Sequence, residues 1–92
     1  MNLPEPPDMN QVVTIKRADL RLFQQHVNTV AAADDPTAAA CEAAYMLAPL
    51  AASERLPRRV VIWALFVTAV DRGADPEDVA ARVAARVNAA AN

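Results

Sequence analysis

Residues 60–70, where Thr68 is the only residue that is not hydrophobic, constrain this chain more than any other stretch. The run is closed by Arg59 and Asp71. A helix that spans a bilayer needs about 20 apolar residues, so this run is too short to cross one and has to be buried against protein. On a wheel of 100° per residue, Val60, Ile62, Trp63, Leu65, Phe66, Val67, Ala69 and Val70 sweep out roughly 220°. A helix facing a single core needs about 100°. The surplus predicts either a central helix touched by three neighbours or a helix partly covered by a second subunit. In the second case Trp63 and Phe66 are the natural anchors of a symmetric dimer interface.

The same helical economy is visible elsewhere. Leu20, Phe23, Val27 and Val30 recur at spacings of three and four, a stripe that leaves Asp19, Gln24, Gln25 and Asn28 to face water. Asp35-Pro36 and Asp75-Pro76 each offer a capping carboxylate followed by a residue whose missing N–H is no loss in a first helical turn. Gly73 suits the left-handed position just past a helix end. Val79, Val83 and Val87 supply the inward stripe of the last helix. The chain is therefore expected to be all-α, a small antiparallel four-helix bundle with helices near residues 17–33, 36–52, 57–72 and 76–90. The second helix is expected to bend or break near Pro49, whose ring removes the hydrogen bond to the Tyr45 carbonyl.

Three of the seven prolines fall in residues 1–11, which points to a flexible Pro-rich N-terminal tail over residues 1–12 ahead of a single helical domain at 13–92. Of the hydrophobic residues, 22 are alanines, so the core of large side chains is thin, and one glycine in the whole chain agrees with helix rather than turn-rich sheet. Small domains with limited burial often gain stability by association, which favours a homodimer. Eight arginines against one lysine, with abundant Ala, Val, Asp and Pro, is the usage of a high-GC genome, a bacterium or its phage. The first residues show no secretory signal, and the single cysteine, Cys41, expected as a small buried hydrophobe, fits a reducing compartment. A cytoplasmic location follows, in a bacterium or an infected cell.

Alternating helix directions sort the charges. One end collects Lys16, Arg17, Arg21, Arg55, Arg58, Arg59 and Arg86, diluted by Asp19 and Glu54. The other collects Asp34, Asp35, Asp71, Asp75, Glu77 and Asp78, diluted by Arg72. Carboxylates at helix starts cap and complement the helix dipole, which accounts for the acidic end. Basic residues at helix starts are mildly unfavourable there, so Lys16, Arg17, Arg55, Arg58 and Arg59 are the candidate partner-binding set.

No chemistry competes with that assignment. The lone Gly73 cannot build a phosphate loop, and the lone His26 has no Cys or carboxylate at ligand spacing, so neither a metal nor a cofactor is expected. Cys41 sits in an alanine helix without an activating context. An enzyme is not expected. The chain is expected to be a protein-protein interaction module that meets an acidic partner surface: an adaptor, an assembly subunit or a phage-encoded inhibitor of a host protein. A small dimeric DNA-binding regulator is the alternative, opposed by a net charge of −2 and by the lack of a polar recognition helix.

Overall fold

A computed structural model describes residues 3–89. The described residues form five helices and no strand: α1 (Met9–Val13), α2 (Arg17–Ala32), α3 (Pro36–Ala52), α4 (Arg58–Asp71) and α5 (Pro76–Ala89). The expected all-α class holds. The outermost parts of the expected tail and last helix, residues 1–2 and 90–92, lie outside the described residues.

Local chemistry sets the helix limits. Asp35 Oδ1 accepts from the Ala38 amide at 3.2 Å, and Asp75 Oδ2 accepts from the Asp78 amide at 3.2 Å, so both Asp-Pro starts are capped as anticipated. At the end of α4, Gly73 takes φ +99°, its amide donates to the Val70 carbonyl at 2.9 Å, and the Ala74 amide donates to Ala69 at 3.0 Å. This pair of bonds is a Schellman closure. The end of α3 has the same bonds without a glycine: Glu54 adopts φ 63°, the Glu54 amide reaches the Ala51 carbonyl at 3.2 Å and the Arg55 amide reaches Leu50 at 2.9 Å.

Helix α3 keeps its expected bounds and continues through Pro49 to Ala52, so the proline does not break it. Pro49 is exposed, so its ring stands on the solvent side, where water can serve the Tyr45 carbonyl that has lost its amide donor. The extended stretch at the N-terminus stops at Asp8, whose carboxylate accepts from the Asn10 amide at 3.1 Å and starts the short α1. Val12 and Ile15 then rest on the core, while Met9 and Val13 stay exposed.

Helix α4 packs against α2, α3 and α5, the three neighbours that a central position for its apolar run requires. Val60, Val61, Leu65, Phe66 and Ala69 are buried, and the hydroxyl of Thr68 donates to the Ala64 carbonyl at 2.7 Å, which satisfies the one polar side chain in the run. Helix α3 also has three neighbours, α2, α4 and α5, and buries six residues, five of them alanines. The small side chains of α3 let the adjacent helices approach closely. No packing of comparable extent joins α2 to α5. Helices α3 and α4 are thus the two central helices, each packed on the other and on both α2 and α5.

Candidate functional site

Polar ties fix which ends meet. Arg55, just past α3, donates from Nε to Asp19 Oδ2 at 3.3 Å and from Nη2 to Asp19 Oδ1, so the start of α2 lies at the end of α3. Arg58 Nη1 donates to Asn88 Oδ1 at 3.5 Å, which brings the start of α4 to the end of α5. At the opposite end Arg72 Nη2 donates to the Ala33 carbonyl at 3.1 Å, joining the ends of α4 and α2.

Lys16, Arg17, Arg58 and Arg59 are all exposed, and none has an ion pair among the described residues. Lys16 is the N-cap of α2 and Pro57 that of α4, and neither helix start has a side-chain cap. Unpaired amides and basic side chains therefore add their positive potential at one end of the molecule. Arg58 and Arg59 line two adjoining hollows of about 410 and 580 Å³. The first is shared with Leu3, Pro4 and Glu5 of the N-terminal segment, the second with Gln11, whose buried Oε1 has no hydrogen-bond partner.

Arg55 differs from the other four. Its guanidinium is committed to Asp19, and that carboxylate raises the arginine pKa above its ordinary value through the hydrogen bond first and charge attraction second. Asp19 does not face water as its place beside the apolar stripe implied; it is 3% exposed. The pairing partner arrives from a linker 36 residues away, which helix periodicity cannot foresee.

The other sequence candidates separate. Phe66 is buried within the subunit and Trp63 is half-buried, their rings tilted with centroids 6.1 Å apart. Phe66 thus belongs to the core, and Trp63 lies at its margin. Arg86 lies beside Tyr45 and Pro49 on the flank between α3 and α5, one half-turn before Asn88, which Arg58 reaches. Cys41 is a free, half-buried thiol, and His26 is half-buried beside Glu42 and Met46. Among the described residues no group of His, Cys, Asp and Glu is placed to hold a metal ion, and no helix is long and apolar enough to cross a membrane.

Sequence reasoning missed the exposed apolar residues Met9 and Val13 next to the basic end, and Tyr45 and Met46 on α3. Asp8 was the available signal for α1, a capping residue hidden among prolines. Compared with family models, with curated proteins and with solved structures, the chain matches none.

Proposed function

We propose that this chain is a non-enzymatic protein-interaction module, an adaptor, assembly subunit or inhibitor, whose basic end receives an acidic surface of another protein. The observation that carries this reading is the convergence of two helix starts without side-chain caps, α2 and α4, with four exposed basic side chains, Lys16, Arg17, Arg58 and Arg59, that have no ion-pair partner among the described residues. Met9 and Val13 of α1 add exposed apolar surface beside it. Arg55 joins the set as the residue that fixes the end in place. In this reading the antiparallel bundle is the rigid support, and the N-terminal segment with Glu5 lies next to Arg58 and Arg59 as a local acidic neighbour that a partner displaces.

The high-GC usage of the sequence directs the search for the partner to the cytoplasm of a high-GC bacterium or a cell infected by its phage. Affinity capture from such a cell, repeated with Arg58→Glu and Arg59→Glu together, tests the assignment. Loss of a captured protein on charge reversal, with the helical circular dichroism spectrum unchanged, is the expected result. Capture undiminished by the reversal overturns it. Retention on duplex DNA that falls steeply with salt, without any protein captured, instead identifies a DNA-binding regulator.

A further inference from the structure

A second surface, remote from the basic end in chemistry, carries an inference of its own. Tyr45 and Met46 are adjacent in sequence, and both are largely exposed on α3, at 64% and 55%. Exposed large apolar side chains that stand together mark contact surfaces more often than singly scattered ones do. Met46 lines two hollows at once. On the α2 side it shares a hollow of about 250 Å³ with His26 and Glu42; on the α5 side it shares one of about 490 Å³ with Tyr45, Pro49 and Arg86. Glu42 and Arg86 are exposed and have no ion pair among the described residues. Met46 thus stands between a site that carries a free negative charge and a site that carries a free positive one.

That arrangement is self-complementary. A twofold axis passing through the surface at Met46 exchanges the two hollows, so that the Glu42 side of one copy meets the Arg86 side of the other. Isologous contacts of this kind are the usual way in which a single chain closes on itself. Tyr, Met and Arg are the residue types enriched at protein interfaces, and all three are present here. A standard interface takes about 800 Å² from each partner. A face of this molecule, whose extents are 30 × 27 × 22 Å, is about the size of one such patch.

We infer that the α3 face centred on Met46 is the contact between two copies of this chain, with Met46 at the dyad, Tyr45 and Pro49 closing over the apolar hollow and Glu42 of each copy set against Arg86 of the other. This contact uses none of Lys16, Arg17, Arg55, Arg58 and Arg59, so it stands or falls independently of the acidic-partner assignment. It also places the dimer contact on α3 rather than on Trp63 and Phe66 of α4, the anchors expected from the sequence.

Sedimentation velocity over a concentration series tests the contact. The unaltered chain sediments as a dimer of twice its 9.9 kDa mass. Glu42→Arg alone and Arg86→Glu alone each weaken dimerisation about tenfold, and the double exchange Glu42→Arg with Arg86→Glu returns it to within about threefold, the signature of direct coupling between two groups. All variants keep the helical spectrum, because both positions are exposed. Met46→Cys in a Cys41→Ala background gives a rapid covalent dimer on mild oxidation, while Arg59→Cys in the same background does not. A chain that stays monomeric at the highest attainable concentration overturns the inference. So does a dimer indifferent to both single reversals, or a double exchange as defective as the two singles combined.

Discussion

Arg55 reaches back across 36 residues to hold Asp19, the one charged side chain buried among the described residues. More than half of the arginine is exposed while the carboxylate is 3% exposed, so the two partners have unequal stakes in the pair. Removing the arginine leaves a carboxylate in the protein with neither water nor a cation, whereas removing both charges leaves nothing to satisfy. Arg55→Ala is therefore expected to lower the melting temperature, and the double variant Asp19→Ala with Arg55→Ala to lose less than the two single losses added together. Arg59→Ala, at an exposed site with no such partner, should stay within about 0.5 kcal/mol of the unaltered chain. Thermal denaturation followed by circular dichroism checks all three, and equal losses at Arg55 and Arg59 would show that the pair has no structural weight.

The two left-handed residues predict effects of opposite sign. Gly73 has φ +99° and open space where a Cβ would stand, so Gly73→Ala meets only the conformational penalty of a side chain at positive φ, about 1 kcal/mol of lost stability. Glu54 already bears that penalty at φ 63°, and Glu54→Gly should raise stability by about 0.5–1 kcal/mol. Urea denaturation of the two variants side by side resolves the signs, and a destabilised Glu54→Gly is the outcome that contradicts the assignment.

Pro49→Ala is expected to stabilise. The substitution returns an amide donor to the Tyr45 carbonyl within a helix that already continues to Ala52, and the intrinsic preference for Ala over Pro in a helix interior is about 3 kcal/mol, an upper limit for the gain. A melting temperature that fails to rise would mean that the backbone around residue 49 is adapted to the proline.

Phe66 and Trp63 distinguish core from margin. Phe66 is 8% exposed, and Phe66→Ala should cost about 3–5 kcal/mol, while Trp63→Ala at its half-buried site should cost less. Chemical denaturation gives both values. A larger loss at Trp63 than at Phe66 would place the indole deeper than the packing of α4 does.

What could be read from the sequence followed from local physics. The caps at Asp35 and Asp75, the closure at Gly73 and the inward stripes of α2 and α5 each depend on residues within one or two turns of each other. The burial of Asp19 depended on Arg55 in a distant linker, and the left-handed turn at Glu54 was hidden because the closure of α3 is made without a glycine. Lys16, Arg17, Arg58 and Arg59 could be read as basic side chains at two expected helix starts, and the Asp19–Arg55 tie brings the start of α2 to the linker that leads into α4. Tyr45 and Met46 were not legible, because an alanine-rich helix with apolar residues all around gives no periodic sign of which side will face out.

Alanine surfaces are smooth, and smoothness allows sliding. The face that α3 offers to its neighbours has few knobs to catch a facing ridge, so shape alone would hold α2 weakly against movement along its own axis. Two polar ties oppose that movement: Asp19 with Arg55 near the first turn of α2, and the Ala33 carbonyl with Arg72 just past its last. Fastened at both extremities, α2 acts as a beam between two brackets, and two arginines outside the core add to the hold that buried Phe23 and Val30 give it within.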